Sequence, residues 1–373
     1  LKIQAGFLLV ICVFNRGSLP SISESSLSMQ LRVAPENPLE WLALQTNQVP
    51  IPLLHIQMYF VMAKAVMEAA EAGVFETIEK GQDTTKRIAH SCNLHEGALE
   101  QLLTLLVSME YLSYHQGHFS LTPMAKKWIA PDSPHSVHAI ALYNNHVAWE
   151  WVSKLGQYLR TGQGMESHEV FTETQWKLYQ DAMTAVARSE VREFVQRVPI
   201  PKKATHLLDI GGANGQYVAA LCRKYPTLQA TILDLPEALD KASPVTDFTN
   251  RISYIAGNAL STPLSPDTYD VILLSNVAHH FTEKQNKDLT QRIAQALRKG
   301  GIFIVNEFIR PSLERKAELV GSSSNLFFGL TSTSGNWTVN EIQSWQQSAG
   351  LKIHKTIHYF TIPGMAMVTA KKL

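Results

Sequence analysis

The sequence predicts an α/β fold in two parts. A mainly α-helical, winged-helix N-terminal unit precedes a doubly wound, mostly parallel sheet that closes with an antiparallel edge hairpin. Three observations carry this. From about residue 205, short apolar runs alternate with helical stretches, as in "THLLDI", "ATILDL", "YDVILLSN" and "IFIVNEF", and such alternation builds parallel sheets covered by helices. Upstream, helical periodicity dominates and ends in two strand-like runs around Gln116-Gly117. Near the C-terminal end, "KIHKTIHYFTI" and "MAMVTAKK" flank the turn signal Pro363-Gly364. The length of 373 residues exceeds the roughly 250–300 that one core usually supports, so more than one domain is expected.

Taken in order, "AGFLLVICVF" follows Lys2 and precedes the polar "RGSLPSISESSLS". Its ten apolar residues are about half of what a bilayer span needs. A signal peptide and an upstream-translated leader ahead of Met29 both fit it, and residues 1–28 are expected to be a disordered or non-native leader outside the fold. Over residues 56–74, "IQMYFVMAKAVMEAAEAGV" has apolar residues at helical spacing and predicts one long, mostly buried helix ending at Gly73. A short helix, a turn near Asn93, a second amphipathic helix to about Met109 and a two-stranded wing complete a unit placed at residues 29–135.

Residues 136–196 read as linking helices that are expected to line the substrate pocket and are rich in aromatic and Met side chains, "HAIALYNNHVAWEWVSKLGQYLRTG" and "QWKLYQDAMTAVARSEVREFVQRV". Pro and Lys in "RVPIPKKAT" mark the boundary of the sheet domain, residues 197–373. There the strands named above are joined by helices "GQYVAALCRKYP", "PEALDKA" and "KQNKDLTQRIAQALRKG", by strand "ISYIAG" and by the late helix "NEIQSWQQSAG".

Charge narrows the partners. With 33 Lys and Arg against 32 Asp and Glu, no overall field draws the chain to nucleic acid or to an anionic membrane. The winged helix itself is acidic: residues 61–120 hold Lys64, Lys80, Lys86 and Arg87 against eight carboxylates. Phosphate is repelled by such a surface, so dimerisation or a lid over substrate is expected rather than DNA recognition. Cys12, Cys92 and Cys222 are odd in number and far apart, which gives neither a disulfide framework nor a zinc site and favours a reducing, cytoplasmic setting.

The stretch "HLLDIGGANGQYVAALCRKYP" carries the chemistry. Gly211, Gly212 and Gly215 let the backbone turn sharply out of a strand and bring a ligand close to the next helix. In dinucleotide sites such a turn cradles a pyrophosphate, but here Asp209 stands at the mouth, which disfavours a diphosphate and suits a cation. Asp234 ends the next strand, 25 residues on, where a carboxylate meets ribose hydroxyls. A nucleoside without phosphates but with a cationic amino-acid tail meets both demands, and S-adenosylmethionine is such a ligand.

"LLDIGGANG", "ILDLP", "AGNAL", "NVAHHF" and "GGIFIVNEF", together with "DAMTAVARS" and the winged helix, resemble the S-adenosylmethionine-dependent O-methyltransferases that include plant caffeate-type and animal hydroxyindole enzymes. The resemblance spans roughly residues 50–373. It implies a Rossmann-like methyltransferase sheet, S-adenosylhomocysteine as product, no metal, a small hydroxyl-bearing acceptor and a homodimer built through the N-terminal helices. It places His279 as catalytic base and Glu307, 28 residues later, as its support. Asp209, Gly211, Gly212, Gly215, Asp234, Leu235, Asn258, Ala259, Ser275 and Asn276 fall on the cofactor motifs. Asn145, Trp149, Met183, Phe327, Phe328 and Asn336 match regions that line an aromatic acceptor pocket.

The chemistry needs a base, because a phenol with a pKa of about 10 is mostly protonated at neutral pH. An imidazole, with an ordinary pKa of about 6.5, takes the proton as the oxygen attacks. The sulfonium is its own activated donor, so alignment supplies the rest. Several positions depart from the family: His280 stands for an Asp, Phe281 for a Trp, Ser275 for a lysine, Asn258 for an Asp, and Asn336 for a second catalytic glutamate. Two alternatives stay open on sequence grounds. One is the same fold methylating carbon or nitrogen, or performing another reaction; the other is a non-catalytic cofactor-sensing or DNA-binding regulator.

Overall fold

The computed structural model describes residues 33–165, 171–241, 245, 248, 250–313 and 318–373; the expected leader and Cys12 lie outside them. The N-terminal part runs α1 (Pro38–Gln45), α2 (Ile51–Gln57), α3 (Tyr59–Glu71), α4 (Val74–Glu79), α5 (Thr85–Cys92) and α6 (Glu96–Ser108), then the wing β1 (Leu112–His115) and β2 (His118–Leu121). Asn93 takes the left-handed conformation that ends α5, and Gln116 and Gly117, both at positive φ, form the two-residue turn that suits antiparallel strands.

The expected helix over residues 56–74 differs from the structure in two ways. It breaks at Met58 between α2 and α3, and of α3 only Met67, Ala69 and Ala70 are buried. Ile56, Met58, Tyr59, Phe60 and Val61 are exposed, because the rest of the chain covers only the C-terminal half of α3.

Next come α7 (Pro123–Trp128), α8 (His138–Tyr143), a π-helical turn (Asn144–Ala148), α9 (Trp149–Ser153), α10 (Leu155–Thr161) and the long α11 (Glu173–Arg197). A capping box at Thr172 and Gln175 starts α11, satisfying backbone donors that a helix start leaves open.

The sheet domain follows as β3 (His206–Ile210), α12 (Gln216–Lys224), β4 (Gln229–Asp234), α13 (Pro236–Lys241), β5 (Ile252–Ala256), β6 (Tyr269–Ser275), α14 (Glu283–Ala296), β7 (Leu297–Phe308), α15 (Leu319–Thr331), α16 (Val339–Ser348), β8 (Lys352–His358) and β9 (Met365–Lys371). The order is β5-β4-β3-β6-β7-β9-β8, parallel through β7 and antiparallel over the final pair. The helix expected to reach residue 300 stops at Ala296, and Leu297 already pairs with Tyr269; Gly300, at φ +79°, turns the strand where a helix would need φ near −60°.

Both sheet faces are buried, which is why the strands are almost uniformly apolar. On one face Leu207, Ile232, Leu273 and Ile304 pack with Phe194 of α11 and Leu221 of α12. On the other, Leu208, Ile272 and Phe303 meet Ile293 of α14 and Trp345 of α16. A third cluster fills the winged helix around Phe75, Leu103 and Leu106.

Candidate active site

A cavity of about 220 Å³ opens at the C-terminal ends of β3, β4 and β6 under α11. That is where open α/β sheets bind ligands, at the point where strand order reverses. Asp209, Gly211, Gly212, Asp234, Leu235, Asn258, Ala259, Ser275, Asn276 and Met183 all line it.

The glycines earn their place sterically. A Cβ on Gly212 would stand 2.6 Å from Asp209 Oδ2, and one on Gly211, at φ +73°, would stand 2.4 Å from Val277 Cγ2. Gly215, expected at the cofactor, is not among the lining residues. It caps α12 at φ +83°, and its missing Cβ lets Ile232 close in, so its service is to helix–strand packing.

Asp209 is buried, and neither of its carboxylate oxygens has a hydrogen-bond partner. Burial, reinforced by the nearby Asp234 charge, pushes its pKa up to about 8. Asp234 is better served: Oδ2 accepts from the Ala213 N–H at 2.7 Å and Oδ1 from its neighbour Leu235 N–H at 2.7 Å. Burial raises its pKa too, and those two bonds oppose the rise.

Beside the cavity, His279 sits in a short 3-10 turn, Ala278–His280, after β6. Its Nδ1 lies 3.0 Å from Glu307 Oε2, with both side chains buried. Glu307 Oε1 accepts two backbone N–H bonds, from Val277 and Ala278, each 2.7 Å. The turn is fixed further where Asn286 Nδ2 and Trp337 Nε1 both donate to the Ala278 carbonyl, each at 2.9 Å. With Glu307 as acceptor, Nδ1 carries the proton and Nε2 keeps its lone pair. Phe328 of α15 stacks on the ring at 3.9 Å. His280 and Phe281 line the cavity, whereas His279 stands behind its wall.

The expected acceptor residues divide. Phe327 and Met183 pack against an aromatic cluster that includes Tyr143 and Trp151. Asn336 is buried, donating from its backbone to Asn325 Oδ1 and from Nδ2 to Ser324 Oγ, while its Oδ1 has no partner. Asn145 and Trp149 do not line the cavity. Asn145 accepts from Lys64 Nζ at 2.6 Å, and Trp149 is 38% exposed with Lys64 over its ring. The π-helical turn at Asn144–Ala148 adds a residue to one turn and so rotates the helix faces; Trp151, not Trp149, points inward.

Three residues of α11 that no sequence motif marks also face the cavity. Trp176, Tyr179 and Gln180 of α11 line the cavity with Met183, and Gln180 Oε1 is buried without a partner. Their i, i+3, i+4, i+7 spacing puts them on one face of a helix, a signal indistinguishable from core periodicity until the other side of the face is known. Among the described residues no cluster of three or more His, Cys, Asp or Glu is arranged to hold a metal ion, and no helix is long and apolar enough to cross a membrane.

Residues 149–352 match the O-methyltransferase domain family and residues 54–131 the O-methyltransferase dimerisation domain family. The chain is 24% identical over 313 residues to the 3-hydroxy-5-methyl-1-naphthoate 3-O-methyltransferase of Streptomyces sahachiroi, covering 81% of this chain and 89% of that one. It is 23% identical over 287 residues to a human protein named probable bifunctional dTTP/UTP pyrophosphatase/methyltransferase, covering 72% of this chain; it spans only 46% of that relative's length. The crystal structure of human N-acetylserotonin methyltransferase in complex with SAM shares the fold, with a TM-score of 0.75 at 19% identity, covering 92% of this chain and 99% of that one.

Proposed function

The chain belongs to the O-methyltransferase family, and from that premise we propose that it transfers a methyl group from S-adenosylmethionine to a hydroxyl of a small, aromatic natural product, with His279 as general base. The observation that carries the donor is Asp209. A buried carboxylate with no partner on either oxygen is costly unless a cation comes to it, and the ammonium of the donor's amino-acid tail is such a cation. Gly211 and Gly212 clear the approach, Asp234 keeps free lone pairs for the ribose hydroxyls, and Leu235, Asn258 and Ala259, which line the same cavity, would flank the donor's adenine. Once bound, the donor supplies a methyl group already activated by the positive charge on sulfur.

The chain's own residues then handle the proton. His279 Nε2 takes it from the acceptor hydroxyl as the oxygen attacks. The ring becomes an imidazolium held against Glu307, whose second oxygen is fixed by the Val277 and Ala278 amides. Phe328 and the burial of His279 keep water from competing for the base. Met183 and Phe327 offer an apolar surface to a planar ring, and the free Oδ1 of Asn336 can accept from a polar substituent on it.

The dimerisation domain and the exposed apolar run from Ile56 to Val61 support a homodimer joined through α2 and α3. The test is calorimetric titration with S-adenosylmethionine and S-adenosylhomocysteine, repeated on Asp209→Asn and Asp234→Ala, followed by incubation with phenols and mass spectrometry. Binding that the variants lose, with products one methyl heavier at oxygen, is expected. No binding by the folded wild type would sink the reading.

A further inference from the structure

We propose that Glu190 sets the donor site's preference for the charged sulfonium substrate over the neutral thioether product that replaces it after transfer. The inference rests on the donor reading above. Substrate and product share their ammonium and their ribose, so Asp209 and Asp234 treat them alike; only a group sensing charge at sulfur can separate them. The reacting methyl would have to face His279, which follows β6, so the sulfur would belong to the side of the cavity that Ser275 and Asn276 line at the end of that strand.

Glu190 lies directly behind that wall. It is a buried residue of α11, 1% exposed, and its Oε2 accepts from the hydroxyl of Tyr217, itself a lining residue. The Asn276 side chain is its other hydrogen-bonding neighbour, and Glu307 acts on it as a like charge; no cation figures among these groups. The cavity wall, among the described residues, carries neither Lys nor Arg. A carboxylate there has no internal counter-charge, and low surrounding polarity lets its field reach the cavity.

Burial lifts the Glu190 acid to about 7, with the Tyr217 and Asn276 bonds opposing the rise. Its titratable neighbours are Tyr217 from α12, Tyr359 from the β8–β9 connection and Glu307 from β7. Burial pushes both tyrosines up, so they stay neutral through this range. Above about pH 7 the site is therefore more negative beneath the sulfur than below it.

Sinefungin, which carries an amine where the donor carries its methylated sulfur, serves as an unreactive cationic probe. Its affinity and that of S-adenosylhomocysteine are measured by calorimetry on wild type, Glu190→Gln and Tyr217→Phe. Glu190→Gln should hold S-adenosylhomocysteine within about twofold and weaken sinefungin roughly tenfold, the ratio that about 1.4 kcal/mol carries. Tyr217→Phe, which removes a bond that opposes the rise, should move the growth of the ratio to higher pH and leave the ratio reached well above that pH as in wild type. The ratio should grow from about pH 6 to about pH 8 on wild type and lose that growth in Glu190→Gln, which keeps Asp209, the other carboxylate ionising in this range. Equal losses for both ligands in Glu190→Gln, or a ratio flat with pH, would overturn the proposal and leave Glu190 a structural tie. If wild type binds neither nucleoside, the donor reading itself fails and takes this inference with it.

Discussion

Asp209 and His279 show two uses of burial. Asp209 is left without partners, and its pKa rises from 3.8 to about 8, through burial first and the Asp234 charge second. Because the folded value lies above the unfolded one, the folded chain holds a proton that the unfolded chain has released. Its contribution to stability is full below about pH 4 and is lost as pH rises through about 8. Binding of a cation runs the other way, since it needs the ionised form. Affinity for S-adenosylhomocysteine should therefore climb with pH, approaching tenfold per unit well below pH 8, and Asp209→Asn should bind weakly with a flat profile. Calorimetry across pH decides it; a steep profile surviving in Asp209→Asn would exonerate that residue. His279, by contrast, is fully partnered on one nitrogen and free on the other. His279→Gln should lower turnover by about 10²–10⁴ with S-adenosylhomocysteine affinity nearly unchanged, and single-turnover rates with a known acceptor measure it.

At the scale of elements, the turn from β3 into α12 is where backbone geometry serves the ligand. Gly212→Ala would set a methyl group 2.6 Å from Asp209 Oδ2, so the carboxylate must move. Cofactor affinity is expected to fall about tenfold or more while the thermal midpoint shifts little; unchanged affinity would mean the carboxylate has room to spare. This turn was legible in the sequence because each requirement, an acid at the strand end and then glycines, has its own residue type. The particular wall residues Trp176, Tyr179 and Gln180 of α11 were not, because they repeat at the same spacing as core residues. Nor was the π-helical turn, whose extra residue carries no sequence mark and moves Trp149 outward. Helices α2 and α3 show a further limit. Periodicity shows that they have an apolar face, but not whether their own chain or a second copy covers it. Phe60→Glu with Ile56→Glu is expected to give a folded monomer by light scattering where the wild type gives a dimer.

The whole molecule hangs on α11, which joins the helical half to the sheet. Its N-terminal part carries Tyr179 and Met183 into the aromatic cluster beneath α8 and α9, its middle walls the cavity, and its end is tied to the edge hairpin through Glu193. That carboxylate accepts from the Phe360 N–H at 2.8 Å, the Thr361 N–H at 2.9 Å and the Thr361 hydroxyl at 2.6 Å, and it pairs with Arg197. Burial works to raise its pKa, but the Thr361 and Phe360 bonds and then Arg197 outweigh burial and hold it below the ordinary 4.5. The folded value lies below the unfolded one, so this stabilisation is present above about pH 4.5 and is lost as pH falls through the folded value. Glu193→Ala removes one acceptor from several donors at once and should cost about 2–4 kcal/mol, read as a lower urea midpoint at neutral pH. The gap between wild type and variant should narrow as the pH is taken well below 4.5. Since α11 also walls the cavity, loosening its end should weaken cofactor affinity without touching any residue that lines the site. A variant that loses stability yet binds as tightly as wild type would show that the middle of α11 is held by the aromatic cluster alone.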